Sequence, residues 1–183
     1  KYKALDDTSV RVTGSKWVPS DRYTVKLEGA RVAGYQTVVM ALLRDQHYVA
    51  NAQVWADDII AKCSAKAVER LDLSDDDFTI EIRLIGQTAS FGKLETNHIL
   101  PTEIGAIGIV TAKTESVSDE IGKLLNPYLL HHPLTVEEEV PTFAFLFSPA
   151  EMSRGATYEF VLNHVLTLDD PMDAFTVEVH EFG

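Results

Sequence analysis

The chain has 183 residues, 45% of them hydrophobic and 24% charged, with 16 basic against 28 acidic side chains and a formal net charge of −12. That size sets one domain, or one domain with an extra sub-sheet, able to bury roughly two thirds of its unfolded surface. The acidity excludes the basic face that a nucleic-acid backbone or an anionic membrane requires, and the single Cys63 excludes an intrachain disulfide.

Residues 1–8 are polar and read as a frayed lead. Residues 9–17 alternate Val10 and Val12 with Arg11 and Thr13, a short strand, and Pro19-Ser20-Asp21 signals a turn. Tyr23, Val25 and Leu27 alternate with Thr24, Lys26 and Glu28, which predicts a half-buried strand over 23–29. Residues 35–43 form a stronger strand, because the run from Val38 to Leu43 is apolar throughout and suits a strand covered on both faces.

Asp45 is placed to cap a helix over 46–71, whose stripe is Val49, Ala52, Ala56, Ile60, Cys63, Ala67 and Leu71. Cys63 on that stripe reads as a buried inert thiol. Ser74 to Asp77 is a solvated turn without the spacing or the glycine of a calcium loop. Phe78, Ile80, Ile82 and Leu84 predict a strand over 78–86. A long irregular connection with Gly92, Asn97 and Pro101 leads to a strand over 104–113, whose Gly105, Ala106 and Gly108 imply close packing against one face.

Thr114 or Ser116 caps a helix over 115–131, with Pro127 expected to kink or end it. Glu137, Glu138 and Glu139 lie in a loop, and residues 142–147 form a short extended segment. Tyr158, Phe160, Leu162, His164 and Leu166 share one face of a strand over 157–166, with His164 at the edge of the core. Residues 172–183 are peripheral.

The strong elements give the order βαββαβ. The expected fold is therefore α+β, a ferredoxin-like antiparallel sheet with both helices on one face, extended by extra N-terminal strands. No apolar run approaches the roughly 20 residues of a membrane span, and no signal-peptide pattern opens the chain. Together with the cysteine usage this points to the cytoplasm. The chain opens at Lys1, not Met, which reads as a fragment, a processed chain or missing leading residues.

Candidate site residues concentrate late in the chain. His131 and His132 end a helix, where they either meet its free carbonyls or act as ligand or acid/base groups. His131, His132, His164 and one of Glu137 to Glu139 are enough donors for zinc only if the fold gathers them; no spacing motif supports this, and no metal is assigned. Ser148-Pro149-Ala150-Glu151 reads as a helical turn capped by Ser148. Its free N–H groups, with Arg154 as a positive fork, suit a small anionic substrate. The predicted pocket joins Ser148, Glu151 and Arg154 to His131 as the catalytic candidate, with His164 as a further substrate contact. Nucleophile motifs are absent. No glycine-rich phosphate loop is present, since Gly29 to Gly34 leads into a strand, so the cofactor stays unassigned.

Three stretches, RYTVKLEGARVAGYQTVVMALLRD, LLHHPL and FAFLFSPAEMSRGATYEFVLNHVLTLDDP, resemble the C-terminal part of the acyclic terpene utilisation (AtuA-like) family. The matching positions are Val25, Leu27, Gly29, Ala30, Gly34 and Tyr35, then Leu129, Leu130 and His131. Phe145, Phe147, Ser148, Pro149, Glu151, Tyr158, Phe160 and His164 complete them. Pro127 departs from the family's pattern. The resemblance implies a larger N-terminal α/β domain, absent from this sequence, as partner. It also implies a setting in the breakdown of acyclic terpenes or organic acids, with a small carboxylate or acyl thioester as substrate. The other reading is a non-catalytic assembly module that meets another chain, or its own copy, through its sheet face.

Overall fold

The computed structural model describes residues 1–96, 99–141 and 143–181. It is mixed α+β, with a mostly antiparallel sheet and three helices. The elements are β1 (Tyr2–Ala4), β2 (Val10–Val12), β3 (Tyr23–Leu43), α1 (Gln46–Ala50), α2 (Ala52–Leu71), β4 (Phe78–Ile85), β5 (Ile104–Ala112), α3 (Glu115–His131), β6 (Phe143–Phe145) and β7 (Glu151–Leu168). Contacts divide the chain into two compact units, 31–159 and 1–30 with 160–183; β3 and β7 contribute residues to both.

In the 31–159 unit the main sheet runs β4-β5-β3-β6, with β7 also paired to β3. Tyr35 lies opposite Ala112 and Leu43 opposite Ile104, so the two strands expected at 35–43 and 104–113 are antiparallel neighbours. Period-2 alternation then sorts their side chains. Val39, Ala41, Leu43, Ala106, Val110 and Leu84 point to the helices and are sealed. Val38, Met40, Leu42, Ile107 and Ile109 stand on the opposite face and are half-buried.

The small residues of β5 let α3 close in. A Cβ on Gly108 would fall 2.5 Å from Leu125 Cδ2, and one on Gly122 of α3 would fall 2.6 Å from Thr37 Cγ2. A short polar chain fixes the same contact: Ser118 Oγ donates to Thr37 Oγ1 at 2.9 Å, and Thr37 Oγ1 donates to Asp119 at 2.5 Å. Thr114 caps α3 by accepting from the Val117 N–H. Pro127 does not end this helix, which continues to His131; the ring costs one bond, to the Lys123 carbonyl.

Several expectations are corrected. The helix expected over 46–71 is two helices, interrupted at Asn51, whose side chain bonds back to the His47 carbonyl and competes with the helical ladder. Its buried stripe includes Tyr48, Trp55 and Ile59, while Ile60 and Leu71 are only half-buried. The strands expected at 23–29 and 35–43 are one continuous strand, because Gly29 and Gly34 are accommodated in extended backbone. The polar lead is not wholly frayed: β1 pairs with β2. That hairpin is a separate two-stranded sheet and does not extend the main one, so the expected N-terminal extension holds only for β3.

In the unit of 1–30 and 160–183, Gly29 faces Leu162, and Val25 and Leu27 are half-buried. The side chains of Phe160, Leu162 and His164 are exposed, so this stretch does not build a core. Among the described residues no helix is long and apolar enough to cross a membrane.

Candidate functional site

Trp55 near the start of α2 and the last turn of α3 are locked together. The buried Trp55 indole N–H donates to the His132 carbonyl at 2.8 Å, and the His132 N–H closes α3 on the Tyr128 carbonyl at 3.1 Å. Those bonds answer the demand for partners that a buried indole and a helix end both make. They leave the His132 ring buried, with Nε2 at 2.6 Å from Asp58 Oδ2 and the Tyr128 ring tilted beside it. Asp58 also receives Lys62 Nζ at 2.8 Å. The Lys62 ammonium first, and His132 second, hold the Asp58 carboxyl below its ordinary value. A carboxylate on Nε2 fixes the orientation of the imidazole.

Beside this pair lies an open groove of about 360 Å³, lined by Lys66 and Arg70 of α2, by Leu124, Pro127, Tyr128 and His131 of α3, and by His132. Leu124 and Tyr128 are half-buried, whereas Lys66, Arg70 and His131 are exposed. Lys66 is held by Glu69 at 3.0 Å. The Arg70 and His131 side chains make no hydrogen bond or ion pair among the described residues, and the Arg70 guanidinium is the groove's unpaired charge. An amphipathic surface of this kind can hold an anion whose body is apolar.

The sequence-predicted pocket is not assembled as expected. Ser148 is no N-cap: residues 146–150 form bends, and Glu151 starts a strand. Glu151 accepts from Asn126 Nδ2 at 2.5 Å, and Ser153 Oγ donates to Glu115 at 3.3 Å, so the start of β7 runs along α3 toward its N-terminus. Arg154 follows there and is exposed. Glu115 and His131 are the first and last residues of α3, separated by about 24 Å at 1.5 Å per residue. The fold therefore brings His131 to the α2–α3 groove and carries Arg154 away from it. His164 is not a core-edge residue but an exposed one in the other unit.

The donors weighed for zinc are likewise dispersed. Glu138 pairs with His47 at 3.3 Å, and His132 pairs with Asp58. No group of three or more His, Cys, Asp or Glu that could hold a metal ion exists among the described residues. Tyr48 ties down the same loop by donating to the Glu139 carbonyl at 2.5 Å, and burial raises its hydroxyl above the ordinary value. Cys63 is fully buried, and burial pushes its thiol up to about 12, so it is inert as a nucleophile at neutral pH. Asn97 and Thr142 of the predicted segments lie outside the described residues.

Sequence reasoning missed Asp58, Lys66 and Arg70. Their only signal is helical spacing: 58, 62, 66 and 70 recur every four residues along the edge of α2. No family model, curated protein or solved structure matches this chain.

Proposed function

We propose that the chain is an assembly module, the C-terminal domain or small subunit of an AtuA-like catabolic protein, that meets its partner through the open face of the sheet. The partner is the larger α/β domain or chain, or a second copy. One observation carries this reading: Val38, Met40, Leu42, Ile107 and Ile109 make a contiguous apolar face with the helices on the other side. Apolar side chains gathered this way on a face that no helix covers among the described residues mark an interaction surface. The strand order β4-β5-β3, with β7 also paired to β3, is compatible with the ferredoxin-like assignment, a fold reused for many functions. A small carboxylate or acyl thioester is the substrate this setting implies. The catalytic groups then come wholly or partly from the partner.

Light scattering tests the reading directly. The chain is expected to run as an oligomer, or to co-purify with a larger α/β chain, and Met40→Lys with Ile107→Lys to reduce it to a folded monomer. A monodisperse wild-type monomer that binds no such chain would count against it.

A further inference from the structure

We propose that the groove between α2 and α3 binds an amphipathic monoanion, a carboxylate carried on a short hydrocarbon body. The site lies on the helix layer, so it stands or falls separately from contact through the open sheet face.

Charge decides the headgroup. In a chain of net charge −12, the groove is bordered by Lys66, Arg70, His131 and His132. Glu69 already occupies Lys66, and Asp58 occupies His132 Nε2. Arg70 and His131 remain without partners among the described residues. The guanidinium offers two parallel N–H groups, a geometry matched to a carboxylate. The headgroup therefore belongs over Arg70, the groove's cation without a side-chain partner among the described residues, with His131 as a second donor.

The floor decides the rest of the ligand. Leu124, Pro127 and Tyr128 supply an apolar strip next to the Lys66 and Arg70 cations. Pro127 adds an exposed apolar ring, and Tyr128 a half-buried aromatic one. The groove volume, about 360 Å³, falls in the range of small-molecule sites, where apolar walls provide most of the contact and a few polar groups orient. A small hydrophilic anion such as acetate uses only the cations. A neutral alcohol of equal chain length uses only the floor. Only a ligand with both parts uses the whole groove.

The test is an NMR titration of the 183-residue chain with octanoate, octanol and acetate, followed at the Leu124 methyls and the His131 ring. Octanoate is expected to shift both sets saturably and to bind at least about tenfold tighter than octanol or acetate. Arg70→Gln is expected to weaken octanoate about tenfold or more while leaving octanol unchanged, the loss of a hydrogen bond to a charged group. His131→Gln is expected to do the same to a smaller degree. Both side chains are exposed, so circular dichroism of the variants should match wild type. Octanol binding as tightly as octanoate, no saturable shift at the groove, or unchanged octanoate affinity in Arg70→Gln overturns the proposal.

Discussion

The two faces of the main sheet are built from the same strands and differ in what covers them. On one face Val39, Leu43, Val110 and Leu84 are fully buried beneath the helices, with Leu125 and Ile121 of α3 equally sealed. On the other, Val38, Met40, Leu42, Ile107 and Ile109 keep part of their surface in water. Their hydrophobicity is the same, so composition does not set the difference. It arises because Gly108 and Gly122 allow α3 to approach one side, where a methyl group would collide. The covered face therefore stabilises the fold, whereas the other face keeps apolar surface in contact with water.

The largest expected effect is on the covered face. Leu125→Ala or Leu43→Ala removes a fully buried side chain and is expected to cost about 2–5 kcal/mol in urea unfolding. On the open face, Ile107→Ala is expected to cost clearly less in a monomer, because its surface is already partly wet. Equal losses would break the comparison and mean that both faces are covered. Urea curves at two protein concentrations sharpen it, since a face used in association makes stability concentration-dependent.

A smaller effect belongs to the cap that holds α3 in place. Thr114→Ala removes the oxygen that accepts from the Val117 N–H and is expected to cost about 1 kcal/mol. Ser148→Ala, at an exposed bend that caps nothing, is expected to fall within about 0.5 kcal/mol of wild type. Thermal unfolding of the two variants side by side checks both. The order would reverse if residue 148 opened a helical turn.

The smallest effect is one of pH. Lys62 and His132 lower the Asp58 carboxyl from its ordinary 3.8. A depressed folded value means stability that is present above the ordinary value and lost as pH falls through the folded one. Asp58→Asn should therefore lower stability slightly at neutrality, where wild type holds this contribution, and flatten the acid limb so that the two curves converge as pH falls below about 4. The Asp58 side chain is 43% exposed, so solvent screening keeps the loss modest. Urea midpoints between pH 2 and 6 check it; an unchanged acid limb in Asp58→Asn would leave the pair without influence on folding.

Periodicity alone determined much of this protein. It located α3 from 115 to 131, and β4 and β5 to within one residue, because alternation and helical spacing are properties of consecutive residues. It also marked the close approach at Gly108. Local patterns failed where a distant partner decided. Ser148 to Glu151 carry every local feature of a capped turn, yet Glu151 bonds to Asn126 and its backbone continues as β7 beside β3. The alternation of 157–166 is correct as a strand but not as a core face, since burial depends on what packs opposite and Phe160 stays exposed. The site divides the same way. His131 was legible as a helix-end histidine. Asp58, Lys66 and Arg70 lie more than sixty residues away in sequence, and only the packing of α2 on α3 places them beside it. Chain spacing fixes which residues share one element's face; the juxtaposition of two elements is a tertiary fact, set by the shapes and bonds at their contact.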